Sequence, residues 1–370
     1  MLQGDFKLAL VHDELVRRGG AEVVFEELLR MFPQADVYAL YAGQTALKIA
    51  GQRREIHTSF LQKLPRWFRR HPGRVLPLLP QAAEQLDFST YDLVISSASG
   101  FVKGIVTRAH VPHLCYCHTP TRYLWNESQA ALARSPYGTQ WLLRGMTHYL
   151  RLADFSAAQR VDHFLANSRY TQQRLMTFYR RESMVVYPPI ATTFYTPGRA
   201  TRATNSPFLV VSRLTPSKHV EQAIEACEKL RQPLIIIGQG REARRLQKMA
   251  GKETRFITSV SRKALRDYYR RARALLQPGI EDFGMATAEA QACGTPVIAY
   301  NVGGVREIVA HRVTGYLYTH QRVEALAEAL RRCVTGEIFR AEDCQRQSLR
   351  FSTRNFQAGI RGAVEKILSS

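Results

Sequence analysis

The sequence has no run of about eighteen apolar residues, so no helix of it is expected to cross a membrane. It also lacks the basic-then-apolar N-terminal pattern of a signal peptide, and the chain is expected to stay in the cytoplasm. The six cysteines (115, 117, 227, 293, 333 and 344) form no CxxC pair and no paired-His site. This argues against a zinc centre or a disulfide framework and predicts reduced, buried thiols. There is no Asp-x-Asp motif to hold a divalent cation, no internal repeat and no low-complexity segment. Acidic residues are scarce: 31 Asp and Glu stand against 52 Lys and Arg, a net charge of +21. Such a balance predicts an anionic partner, which nucleic acid, anionic lipid or a phosphorylated substrate would each satisfy. The excess is spread over the chain, +8 from residues 1–195 and +13 from 196–370, with no basic tail or interleaved aromatic element of the nucleic-acid-binding kind. Nucleic-acid binding is therefore the weaker reading.

At 370 residues the chain exceeds what one hydrophobic core usually supports, and two domains are expected. Apolar runs of strand length at Lys7–Val11, Asp36–Tyr41, Asp92–Ser97, His113–His118 and Asp162–Asn167 alternate with helical or irregular stretches. The pattern predicts an α/β domain with a mostly parallel sheet. After the first strand, Arg18-Gly19-Gly20-Ala21-Glu22 opens a helix, an arrangement that cradles phosphates when it does more than turn the chain. Residues 194–207 read as a linker, and a second α/β domain begins with the strand at 207–211. Its first loop carries Arg213 and Lys218, five apart at a strand end, where both reach one diphosphate, Arg as a fork and Lys as a point charge. Gly238 and Gly240 match a dinucleotide fingerprint only formally, since no acidic residue closes the next strand. They are expected to let a mononucleotide approach the backbone, with Val260 and its neighbours lining the base.

The most informative stretch is 272–304. An apolar run breaks at Pro278-Gly279 and gives way to Glu281-Asp282-Phe283-Gly284-Met285-Ala286-Thr287-Ala288-Glu289, a strand, a turn and a helix. Glu281 is expected in the loop at the strand's carboxyl end and Glu289 one to two turns into the helix, where open α/β sheets bind ligands. The amides of Phe283, Gly284 and Met285 face out of the helix N-terminus toward an anion or sugar hydroxyls. A capping Glu281 and a solvated Glu289 would be the plainer explanation of two acids, but the residues around them are more specific.

This stretch resembles the Glu-x7-Glu signature of the family-4 retaining glycosyltransferases, and the likeness continues through Gly294-Thr295-Pro296-Val297 and Gly303-Gly304-Val305-Arg306-Glu307. The resemblance implies the GT-B fold: two Rossmann-like α/β/α domains facing a central cleft, residues 1–195 for the acceptor and 196–350 for the nucleotide sugar, with residues 351–370 as a helix packing back on the first. By it Glu281 lies against the donor sugar, Glu289 holds the ribose hydroxyls, Arg213 and Lys218 neutralise the leaving diphosphate, and Gly19 and Gly20 form the N-terminal glycine loop. Tyr116-Cys117-His118-Thr119-Pro120-Thr121-Arg122-Tyr123-Leu124-Trp125 resembles the mannosyltransferase-like subgroup of O-antigen and exopolysaccharide assembly. That likeness implies a sugar- or acceptor-contacting His118, GDP-mannose as donor and a lipid-linked glycan as acceptor. No cofactor and no metal are expected, since two positive charges replace a cation at the diphosphate. A UDP-sugar donor, or a GT-B epimerase or phosphorylase, is the runner-up.

Between Glu55 and Glu84 there is no acidic residue, while Lys63, Arg66, Arg69, Arg70 and Arg74 alternate with Phe60, Leu61, Leu64, Trp67, Phe68, Val75 and Leu76. That composition predicts peripheral docking of residues 57–80 on an anionic membrane surface, against the plainer reading of a solvated charged face.

Overall fold

The computed structural model describes residues 6–16, 18–43, 46–49, 52–65, 75–125, 140–198, 205–335 and 339–369. Its contacts divide the chain into two units, Met1–Tyr187 with Gln357–Ser370, and Pro188–Phe356. The change of unit falls at the Pro188-Pro189 pair rather than at 195, and residues 188–198 travel with the second unit.

Among the described residues the first unit holds β1 (Leu8–Leu15), β2 (Asp36–Ala42), β3 (Ala46–Ile49), β4 (Gln52–Thr58), β5 (Leu93–Ala98), β6 (His113–Cys117), β7 (His163–Ala166) and β8 (Met184–Val185). They form one sheet in the order β3-β4-β2-β1-β5-β6-β7-β8, parallel except where β3 runs against β4. Strands buried on both faces read as continuous apolar runs, and every residue of β5 and β6 is buried. Two features differ from the sequence reading. β3 is only four residues long and β4 is polar and basic, so the strand pattern of this hairpin is hidden. β1 continues four residues past Val11, because the register with β2 carries on through His12↔Ala39, Glu14↔Tyr41 and Leu15↔Ala42. His12, Asp13 and Glu14 therefore stand on a strand end and not in a loop.

The second unit holds β9 (Phe208–Val211), β10 (Leu234–Ile237), β11 (Thr254–Ile257), β12 (Leu275–Gln277), β13 (Val297–Tyr300) and β14 (Gly315–Tyr318), an all-parallel sheet in the order β11-β10-β9-β12-β13-β14. Its core gathers Phe208, Val210, Ile236, Leu276 and Ile298 against Ala223, Ile224, Leu326 and Leu330 of the covering helices. Each fully buried aliphatic chain contributes about 1.5–3 kcal/mol.

In both sheets the chain builds outward in one direction and then reverses, between β1 and β5 in the first and between β9 and β12 in the second. At such a reversal the two loops at the carboxyl ends diverge and leave a crevice. The final helix, Thr353–Leu368, begins in the second unit, and from Gln357 onward belongs to the first. Gln357 there donates to Glu27 at 2.7 Å. All six cysteines are buried and free.

Candidate active site

At the reversal of the second sheet, the loop after β9 and the loop after β12 bring Lys218 and Glu281 together, with Lys218 Nζ 2.6 Å from Glu281 Oε1. Lys218 is buried, and Gln277 at the end of β12 donates a second hydrogen bond to the same oxygen at 3.2 Å. Close backbone approach makes this convergence possible. A Cβ on Gly279 would lie 2.6 Å from the Cα of Lys218, and one on Gly303 would lie 2.3 Å from the Glu281 carbonyl oxygen. Glu281 is further tied down by the amide of Gly304, which donates to its carbonyl at 2.9 Å. Lysine and glutamate, assigned separate tasks from the sequence, thus act as one unit. An ammonium has three donors, so one on Glu281 leaves two for other oxygens. Arg213, in the same loop as Lys218, is exposed.

Glu289 lies in the helix Met285–Ala292, whose N-cap is Gly284 at φ +106°. Tyr269, from the neighbouring helix Arg262–Arg271, donates its hydroxyl to Glu289 Oε2 at 2.9 Å. Tyr195 stands beside it, its ring 6.0 Å from that of Tyr269, with the Arg262 guanidinium 5.4 Å above its own face. Burial pushes the Glu289 carboxyl up to about 7, while the two tyrosine hydroxyls and Arg262 pull the other way. Phe283 turns its ring into the core against Phe351, leaving only its backbone for any role at the helix N-terminus. Met285 is half-buried.

Gly238 and Gly240 have a different explanation from the one expected. A Cβ on Gly238 would sit 1.9 Å from the Ser212 carbonyl oxygen, and one on Gly240 2.1 Å from that of Leu214. The close approach they permit is between the loop after β10 and the Arg213 loop of the same chain. Val260, in the next loop, is half-buried.

At the reversal of the first sheet a line of polar groups crosses three strand ends. His12 Nδ1 is 3.1 Å from Ser97 Oγ, and Ser97 Oγ is 2.8 Å from His118 Nε2. Glu22 Oε1 faces His12 Nε2 at 3.6 Å. Burial alone would raise the Glu22 carboxyl, but His12 and the Gly19 amide more than offset it and hold it below its usual range. Asn167 fixes the same turn by donating to the His118 carbonyl at 2.8 Å. The Gly19 amide, expected to cradle a phosphate, donates to Glu22 Oε2 at 2.7 Å, so a carboxylate of the chain already occupies that position.

Behind His118 lies a fully buried ion pair. Lys103 Nζ is 2.5 Å from Asp154 Oδ1, and Asp154 also accepts from Thr121, Trp125 and Tyr179 at 2.6–2.7 Å. Burial lowers the affinity of Lys103 for its proton, yet the Asp154 charge outweighs this and keeps the amine above its usual value. The network pins the segment Thr121–Trp125 that follows His118. Asp13 does comparable work on β5, accepting from the amides of Ser99, Gly100 and Val102.

The structure therefore joins Lys218 with Glu281, and His118 with His12 and Ser97, while Arg213, Val260 and Met285 remain without a described side-chain partner at either centre. Sequence reasoning missed Gln277, Ser97, His12, Tyr195 and Tyr269. The one available signal was a polar residue closing an apolar strand, as in Leu275-Leu276-Gln277. Among the described residues no cluster of His, Cys, Asp or Glu has the arrangement of a metal site.

With this geometry in place, comparison with known proteins defines the class. Residues 18–194 match the model of Glycosyltransferase Family 4, and residues 199–348 match that of Glycosyl transferases group 1. Between them the two glycosyltransferase models take in most of the chain, and its fold is the GT-B fold. Curated relatives include the D-inositol 3-phosphate glycosyltransferases of Kribbella flavida, 32% identical over 48% of this chain and 50% of that one, and of Mycobacteroides abscessus, 30% identical over 46% and 43%. The matched region spans about half the length of these relatives. Among solved structures, the sucrose-phosphate synthase of Thermosynechococcus elongatus superposes with a TM-score of 0.74 at 17% identity, covering 98% of this chain and 99% of that one. Anabaena HepE in complex with UDP-glucose gives 0.69 at 19% identity, covering 97% and 99%. At these identities the likeness is one of fold.

Proposed function

We propose that the protein is a retaining hexosyltransferase that moves mannose from GDP-mannose to a lipid-linked or oligosaccharide acceptor in bacterial surface polysaccharide synthesis. The observation that carries the reading is the Lys218–Glu281 pair at 2.6 Å at the reversal of the second sheet, with Glu289 eight residues on. In this reading Lys218 and Arg213 neutralise the diphosphate as it leaves, without a metal ion. Glu281 holds Lys218 in place and lies against the donor sugar, Glu289 takes the ribose hydroxyls, and His118 contacts the donor sugar or the acceptor. The choice of mannose rests on the likeness of Tyr116–Trp125 to the mannosyltransferase-like subgroup. The acceptor places the protein at the inner face of the cell membrane, and nucleic acid has no part.

A second reading, a UDP-sugar as donor, is favoured by the UDP-glucose held in the Anabaena structure of the same fold. Thermal shift against GDP-mannose, UDP-glucose, UDP-N-acetylglucosamine and UDP-galactose decides between them. A ligand at 100 times its Kd stabilises by about 2.7 kcal/mol. GDP-mannose is expected to give the largest shift and to be hydrolysed slowly without acceptor, in the presence of EDTA as in its absence. A preference of about tenfold or more for a UDP-sugar would overturn the mannose assignment.

A further inference from the structure

The helix Gln140–Gln159 carries large apolar side chains on its exposed surface as well as on its buried side. At about 3.6 residues per turn, Leu143, Met146, Leu150, Ala153 and Ala157 fall on one side. There Leu150 packs with Phe101 and Leu124, and Met146 and Ala153 close over them. Trp141, Tyr149, Leu152 and Phe155 fall on the exposed surface, with Leu142 at its border with the buried side, and the exposures of Trp141, Leu142, Tyr149, Leu152 and Phe155 are 72, 58, 55, 58 and 38%. A surface helix ordinarily presents charged residues there. Single exposed apolar side chains need no explanation, but five large ones on one helix form a patch of the kind that marks an interaction.

We propose that this face docks the protein on the surface of an anionic lipid bilayer, with Trp141, Leu152 and Phe155 entering the interface. Charge selects the occupant. Arg144 is exposed at the edge of the stripe, and the helix's one acidic residue, Asp154, is fully buried on Lys103. The helix Leu79–Glu84 packs against it and ends a stretch with no acidic residue since Glu55, in which Lys63 is exposed. A second copy of the chain would set like charges together across a self-complementary interface, at +21 per chain. An anionic leaflet sets opposite charges together and solvates aromatic rings at its headgroups. No helix among the described residues is long and apolar enough to cross a membrane, so the contact is peripheral. The proposal deepens the reading of a lipid-borne acceptor and rests on it for its purpose. Residues 66–74, the centre of the basic segment expected to dock, lie outside the described residues.

Flotation tests it with phosphatidylcholine vesicles with and without phosphatidylglycerol, at low and high salt. Wild type is expected to float with the anionic vesicles at low salt. The exposed double variant Trp141→Ser/Leu152→Ser should float about tenfold less or not at all, and Arg144→Glu should weaken flotation in a salt-dependent way. Brominated lipids should quench the wild-type fluorescence, and Trp141→Phe should remove that quenching. Donor hydrolysis in solution, without vesicles, should be the same in all three variants, which shows them folded. Flotation undiminished in the double variant would place docking elsewhere and overturn the proposal. So would wild type that stays at the bottom, or a concentration-dependent dimer that the double variant dissolves. Flotation dependent on Trp141 and Leu152 supports docking even if no nucleotide sugar is turned over, a result that would count against sugar transfer alone.

Discussion

The two sheets reverse direction at equivalent places, and the chain furnishes the two reversals with different chemistry. In the first unit the strand ends carry His12, Ser97 and His118, a line of imidazole and hydroxyl groups that ends on one carboxylate, Glu22. In the second they carry Lys218 on Glu281, a charge pair with a supporting amide from Gln277. A line of imidazole and hydroxyl groups, each able to donate or accept, matches hydroxyl groups. A paired ammonium matches a group whose charge changes during reaction, because its remaining donors strengthen as negative charge develops. One topology, used twice, thus presents two different sets of polar groups at its strand ends.

The largest effect expected is on stability, behind the imidazole and hydroxyl line. Asp154→Ala leaves Lys103 charged and unpaired in the core, a loss of about 3–5 kcal/mol. Denaturant unfolding measures it, and a loss under about 1 kcal/mol would mean that the pair does not anchor the His118 turn. Next comes the charge pair itself. Glu281→Ala should lower turnover about 100-fold, roughly 3 kcal/mol of transition-state stabilisation. The melting temperature reports separately on the fold.

The Glu289 carboxyl gives a smaller, pH-dependent effect. Its value near 7 lies above the ordinary carboxylate range because the site is buried, so the group is largely protonated at pH 6 and largely ionised at pH 8. If the ionised form accepts the ribose hydroxyls, GDP-mannose affinity rises with pH over that interval, by up to about tenfold. Calorimetric titration checks this, and Glu289→Gln should bind equally at both values. A slope that persists in the variant would assign the titration to another group. The smallest effect belongs to Ser97, which touches His12 and His118 rather than substrate. Ser97→Ala should cost about tenfold in kcat, near 1.4 kcal/mol, and shift the pH profile, while Ser97→Thr should restore both. An alanine variant with an unchanged profile would leave the line a packing feature.

These contrasts also show which parts of the structure can be read from residues in order. Parallel strands buried on both faces announce themselves as apolar runs, so most strands and the loops bearing His118, Lys218 and Glu281 were legible, while β3, β4 and the true end of β1 were not. The pairing of Lys218 with Glu281 was not, because it depends on β9 and β12 lying side by side, a fact of sheet order absent from either segment. The Asp154 network is hidden for the same reason, its partners coming from positions 103, 121, 125 and 179. At Gly238 and Gly240 the structure shows a contact between two loops that neither segment reveals alone.

Lys218→Ala is the most direct test of the reaction centre. Release of labelled mannose from GDP-mannose should be compared between this variant and wild type, with circular dichroism recorded on both. The expected result is a loss of about 100-fold or more in turnover with the spectrum unchanged. Near-normal turnover in a folded variant would contradict it and move the chemistry away from the Lys218–Glu281 pair.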